Sequence, residues 1–221
     1  MASRTYQELL SQATWNVELF KESIADQGIS KIPTSLVGSP RFQQCGKTMG
    51  LYQTAAASGF RSAASVSPIV DVTANFTLEI GLVPFESGDD LILSQYGSGG
   101  LYPYWNGALG RLLVYIFDNV GGTARLLYTP NNSVPIAKNT HIIIESINGG
   151  TSGACWIDSI SSTIGLGGAG VAASVSGVVS VGANLGKCIF IVTRSWNSLL
   201  NSDEVKALYR EYTQFTRPSK C

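Results

Sequence analysis

From Phe76 onward the chain is written in short alternating or apolar runs closed off by turn residues, and this pattern most limits what it can become. FTLEIGLV (76–83) places Phe76, Leu78, Ile80 and Leu82 on one face and Thr77 and Glu79 on the other, the alternation of a half-buried strand. LILSQY (91–96), RLLVYIFD (111–118), ARLLYT (124–129), HIIIESI (141–147), ACWIDS (154–159), GVVSVGA (177–183) and CIFIVTRSW (188–196) follow. They are separated by ESGDD, GSGG, NVGG, TPNNS, NGGTSG and NLGK, each supplying the Gly, Asn or Pro that a reversal needs. Helical signals lie at the chain ends. Asn201 or Ser202 can cap the acidic turn Asp203-Glu204, after which Val205, Leu208, Tyr209, Tyr212 and Phe215 recur at helical spacing. TYQELLSQA (5–13) predicts a second, short helix, and the stretch from Gly28 to Ser67, scattered with Gly, Pro and Ser, reads as irregular. With no internal repeat and no linker, the pattern predicts one all-β domain of two packed antiparallel sheets.

Four segments then carry a resemblance. GKTMGLYQTAAASGFRSAAS (46–65), in which a Gly-Lys pair leads into an aromatic strand and a polar loop, is followed by the strand FTLEIGLV (76–83). In NTHIIIESINGGTSGACWIDSISS (139–162) a histidine-led apolar strand turns through glycines into an aromatic-aliphatic-Asp strand. IFIVTRSWNSLLNSDEVKALYREY (189–212) joins a closing strand to a helix through Asn-Ser-Leu-Leu. In order, spacing and residue type these resemble the laminin-G-like domains of the concanavalin A-like lectin and glucanase superfamily, over residues 12–213, leaving 1–11 as an N-terminal segment and 214–221 as a tail. The resemblance implies a jelly-roll sandwich, usually non-catalytic, that binds glycans or proteins through rim loops or one sheet face, sometimes with calcium. The sequence departs from the family pattern at Asn139-Thr140, where Trp-His is common, and at Asp158-Ser159, where Asp-Gly is common.

Only 14% of the 221 residues are charged, against roughly a quarter in an average soluble domain. Fifteen basic residues balance fifteen acidic ones, so no overall field exists to hold nucleic acid or an anionic membrane. The uncharged stretch Ser159–Gly186 is too rich in Gly, Ser and Thr for a spanning helix, so no membrane insertion is expected. The start, MASRTYQELLSQATWNVELF, has no apolar run behind a basic segment, so the chain is expected to stay in the cytosol that makes it. There the sequons at Asn75 and Asn131 carry no sugar. Cys45, Cys155, Cys188 and Cys221 stand far apart beside a single histidine, which excludes zinc-site spacing and predicts reduced, buried thiols for the first three.

Several motifs resemble chemistry without completing it. GLGGAG (165–170) fits a dinucleotide loop in spacing, but no Asp or Glu lies between Asp158 and Asp203 to hold a ribose. GKT (46–48) lacks the earlier glycine of a phosphate loop, the position being Arg41, and reads as the start of a strand. Glycan hydrolysis needs two carboxylates across the scissile bond, about 5.5 Å apart in a retaining enzyme. Glu86, Asp89 and Asp90 read as a turn, while Glu79 and Glu145 each stand alone on their strands. His141, the one candidate base, has no nucleophile elbow and reads as an edge-facing or hydrogen-bonded residue at a strand start. No catalytic residue and no cofactor beyond calcium is expected.

The strongest surface signal is LYPYWNG (101–107), where Tyr102, Tyr104 and Trp105 crowd a Pro- and Gly-containing connection beside Asn106. Aromatic faces with an amide suit a sugar ring or a protein hot spot, although such rings also plug the ends of sandwiches. Asp118-Asn119 and Asn131-Asn132 are loop candidates for calcium or hydroxyl contacts, or bond their own backbone. Trp156 and Trp196 sit in strand patterns and read as core. A laminin-G-like domain starting at Met1 without an export signal fits a virus or phage particle, made in the host cytosol. The expectation is therefore a non-enzymatic virion surface protein (capsid decoration, fibre or tail-attached) that binds other virion subunits, self-associates as a homo-oligomer and meets host glycans. A lectin-like module is the alternative, and a glycan-cleaving enzyme of the same fold comes third. Scarce charge on edge strands, which normally carry it to block unwanted pairing, favours the assembled state.

Overall fold

The outward side of FTLEIGLV does not meet water. In the computed structural model, which describes residues 3–45, 48–52, 58–96, 100–117, 124–182 and 188–216, every residue from Phe76 to Pro84 is buried, Thr77 and Glu79 included. Alternation identifies the strand correctly but not its second cover, because the helices that roof it come from the two ends of the chain.

The elements run α1 (Tyr6–Gln12), β1 (Trp15–Glu18), β2 (Thr34–Val37), β3 (Arg41–Cys45), β4 (Thr48–Tyr52), β5 (Gly59–Ser62), β6 (Phe76–Pro84), β7 (Asp90–Leu91), β8 (Leu93–Tyr96) and β9 (Gly100–Asn106). They continue with β10 (Arg111–Phe117), β11 (Ala124–Tyr128), β12 (Thr140–Ile147), β13 (Ser152–Ile157), β14 (Ile160–Ser162), β15 (Gly165–Gly167), β16 (Val178–Gly182), β17 (Cys188–Trp196) and α2 (Ser202–Phe215). One sheet has the order β14-β13-β12-β6-β17-β4-β3, with β1 sharing the edge of β17 that β4 also uses; the other runs β15-β11-β10-β9-β8-β16-β5-β2, with β7 beside β9. All pairings are antiparallel, and the two sheets form a jelly-roll sandwich. The Gly28–Ser67 stretch is less irregular than its composition suggests, since β2 to β5 lie within it. These short strands are specified by their partners in the sheet rather than by their own pattern.

Between the sheets, Phe76, Leu78, Ile80 and Leu82 of β6 and Phe190 of β17 share one core with Trp105, Leu112, Val114 and Ile116 of β9 and β10. Outside the first sheet a second apolar layer joins Leu9 of α1 and Val205 and Leu208 of α2 to Ile143 and Trp196, with Trp156 packed against it. The Trp196 indole donates to the Leu9 carbonyl at 2.8 Å, fastening α1 to the sheet. Gly81 makes room for α2: a Cβ there would lie 2.4 Å from the Tyr212 ring. Asn201 caps α2 by accepting from the Asp203 and Glu204 backbone N–H groups, and Glu204 returns the bond to Asn201 N, a reciprocal box. Arg4 at 2.8 Å overcomes the burial that would raise the Glu204 carboxyl, and with the backbone N–H bonds of Arg4 and Asn201 holds it down to about 2. Among the described residues no helix is long and apolar enough to cross a membrane.

Candidate functional site

LYPYWNG is a strand and not a connection, and that decides where its side chains go. Along β9, Leu101, Pro103 and Trp105 point into the sandwich while Tyr102, Tyr104 and Asn106 point outward. Trp105 is the correction to the expected site: its ring is fully buried and its Nε1–H donates to the Val134 carbonyl at 3.2 Å. The parity that separates it from its tyrosine neighbours is present in the sequence but is lost when the segment is taken for a loop.

On the neighbouring strand β10 the same alternation buries Leu112, Val114 and Ile116 and turns Tyr115 and Phe117 outward. Register pairs Tyr102 with Tyr115, so four rings from two strands meet on the outer face of the second sheet. Tyr102 stacks on Tyr104 with centroids 6.3 Å apart, and Tyr115 on Phe117 at 5.8 Å. Across the strands Tyr102 meets Phe117 edge-on at 6.2 Å and Tyr104 meets Tyr115 at 6.5 Å. With Asn106 they line an open hollow of about 510 Å³. Tyr115 and Phe117 were missed in the sequence because RLLVYIFD reads as a plain core strand. Their signal is the parity they share with Tyr102 once the β9–β10 hairpin is recognised.

The hollow is held from below the sheet edge. Asp89 accepts from the Tyr104 hydroxyl and from Gly107 N at 2.9 Å, which fixes the ring and closes the turn after β9. Burial and the Asp89 carboxylate together push the Tyr104 phenol above its ordinary range, so it stays a neutral donor. Asn106 Oδ1 accepts from Leu109 N at 2.9 Å, so what the side chain can give a ligand is its amide N–H pair. The arrangement offers flat apolar faces bordered by an amide and a phenol, which suits the faces of a sugar ring or an apolar partner side chain.

The remaining candidates separate clearly. Asp118 and Asn119 lie outside the described residues, and among the described residues no three His, Cys, Asp or Glu side chains group as a metal site would. Gly165–Gly167 of GLGGAG form β15, paired to β11. Asn131 accepts from Arg111 Nη1 at 3.3 Å, and Asn132 takes a left-handed backbone at φ 58°. His141 is not at an edge: β12 lies between β6 and β13, and His141 Nε2 is 2.8 Å from Glu79 Oε1. Glu79 is not alone either, for its other oxygen accepts from Arg194 Nη1 at 2.8 Å, and Arg194 Nη2 reaches Glu18 at 2.6 Å. Glu18, Glu79, His141 and Arg194 are all at most 2% exposed beside Tyr6, Tyr209 and Tyr212, so this charged cluster is closed off from solvent and fastens the outer layer.

No protein-family model matches the chain, and no curated protein matches it in sequence. Among solved structures the chain is similar to the botulinum neurotoxin type G receptor binding domain, with a TM-score of 0.69 and 13% identity over 91% of this chain and 52% of that one. It is similar also to the binding domain of Paraclostridial Mosquitocidal Protein 1, with a TM-score of 0.68 and 13% identity over 91% of this chain and 52% of that one. The likeness is one of fold. The receptor binding domain of botulinum neurotoxin D gives a TM-score of 0.64 at 8% identity, covering 91% of this chain and 53% of that one. The chain thus spans about half the length of each of these structures.

Proposed function

We propose that this chain is a non-catalytic, lectin-like binding module that stacks sugar rings on Tyr102, Tyr104, Tyr115 and Phe117. The observation that carries the reading is the aromatic quartet itself, four rings on the outward face of a sheet whose inward face is core. The rings also brace the β9–β10 pair, but their outer faces are left part-exposed where a ligand can stack. The laminin-G-like resemblance and the receptor-binding titles of the structural neighbours support the same class. On a glycan array the chain should give saturable binding, and Tyr115→Ala should weaken it about tenfold or more. The lost ring contacts with Tyr104 and Phe117 should lower the unfolding free energy by about 1–3 kcal/mol, so a thermal midpoint above the assay temperature accompanies the binding measurement. Undiminished binding in Tyr115→Ala would move the site off the quartet.

A second reading, a virion surface protein that joins its own copies and neighbouring subunits, is favoured by the sheet ends. Three of the four terminal strands, β2 (TSLV), β14 (ISS) and β15 (GLG), carry no charge. Leu36, Ile160 and Leu166 on them are 50%, 71% and 46% exposed. Uncharged apolar edges invite strand pairing. Sedimentation should show concentration-dependent self-association that Leu36→Lys and Ile160→Lys together abolish. A chain that stays monomeric at millimolar concentration would exclude this reading and leave the lectin reading intact.

A further inference from the structure

A second hollow adjoins the first. Arg111 stands directly opposite Asn106 in the β9–β10 register, on the same outward face as Tyr115, so the aromatic hollow and the Arg111 side chain share a border. The guanidinium lies over the Tyr128 ring, 4.5 Å from its centroid. Gly165 makes that placement possible, since a Cβ there would come within 2.1 Å of the same ring. Together with Asn131 and Thr163 they line a depression of about 400 Å³.

Arg111 is held there without a counter-charge. Arg4 and Arg194, on the other side of the sandwich, each meet a glutamate, whereas Arg111, like Arg125 and Arg41, meets no carboxylate among the described residues. Its one hydrogen bond among those residues runs from Nη1 to Asn131 Oδ1 at 3.3 Å, and its Nε is buried with no acceptor. An arginine held over a ring has already lost much of its side-chain freedom, so an incoming planar anion gains a preorganised fork. The rest of the fork, Nη2 above all, is not taken up by any described residue of the chain.

We infer that the glycan taken by the aromatic quartet carries a carboxylate, as in a uronic or sialic acid, and that Arg111 receives it beside Tyr128 and Asn131. This rests on the proposed lectin reading. Arg111 and Tyr115 lie four residues apart on one strand, about 13 Å, so the ligand is an oligosaccharide with its acidic unit toward Arg111 and a neutral unit on the rings.

The test is an array of neutral, carboxylated and sulfated glycans, followed by titration calorimetry with the best hit and its methyl ester. Carboxylated glycans should dominate the hits. Arg111→Gln and esterification should each weaken binding roughly ten- to hundredfold, and Arg111→Lys, which keeps the charge but not the fork, should lose less. Affinity should fall with added salt in the parent chain and not in Arg111→Gln. Thermal midpoints of both variants establish that they fold, and Asn131→Ala, away from the Tyr128 stack, should weaken the acidic ligand several-fold. Neutral or sulfate-only hits, or a carboxylated hit indifferent to Arg111→Gln and to esterification, would overturn the carboxylate site while leaving the lectin reading in place. Loss on Arg111→Gln with no effect of Tyr115→Ala would take the aromatic quartet out of the ligand's path and overturn the joint site, and no glycan binding at all would end both readings.

Discussion

Replacing Arg194 by methionine is expected to cost about 3–5 kcal/mol of stability, a large part of what a domain of this size has. Its guanidinium donates to Asn16 Oδ1 at 2.8 Å, to Glu79 at 2.8 Å, to Glu18 at 2.6 Å and to the Tyr6 hydroxyl at 3.2 Å. Methionine keeps much of the volume and none of the donors, leaving Glu79 to His141 and Glu18 to Lys21. Most of the cost is that of burying carboxylates without their partner, so Arg194→Met with Glu79→Gln should be more stable than Arg194→Met alone. Chemical denaturation of the three variants measures this, and a loss below about 1 kcal/mol for the single change would refute it. The same residues set an acid limit. Burial alone would raise the Glu79 carboxyl, but Arg194 and His141 hold it below 4.5. Its contribution is therefore present above that pH and is lost as pH falls through the lower folded value. Arg194→Met should flatten that acid slope.

Trp105→Ala is expected to cost about 3–5 kcal/mol as well, through the core and not through a ligand. The ring is fully buried against Leu112 and its neighbours between the sheets, and its N–H would leave the Val134 carbonyl without a donor. The variant should unfold at markedly lower denaturant. Below its transition it should retain whatever glycan affinity the parent shows, because the outward quartet belongs to the opposite parity of β9 and to β10. A folded variant of unchanged stability that fails to bind would return Trp105 to the site and contradict its burial.

How far the sequence reveals this molecule depends on whether the deciding contact is local. The alternation of β6 and the apolar runs of β10 and β12 are local, and those strands are readable, as is α2 from Asn201 and its box with Glu204. Whether Glu79 faces water or a guanidinium depends on Arg194, 115 residues away, and no spacing shows that. Strands β2 to β5 are set by partners such as β16 and β17, so their Gly- and Ser-rich sequence hides them. Of the proposed site, Tyr102, Tyr104 and Asn106 can be picked out from aromatic crowding alone, while Tyr115 and Phe117 need the hairpin register. Arg111 needed that register too, and also the bare backbone of Gly165 beneath Tyr128.

Among the described residues the helical cover lies on one side of the sandwich. Helices α1 and α2 seal the outer face of the first sheet, so within β9 and β10 the rings and Arg111 all look out from the second. Antiparallel pairing of identical uncharged edges requires a two-fold axis perpendicular to the sheet, and that operation leaves both copies facing the same way. Copies joined like this would present their hollows to one plane, where tethering raises effective concentration and avidity can exceed a single site's affinity by roughly 10²–10⁴. Weak individual sites would then suffice for firm attachment to a densely glycosylated surface.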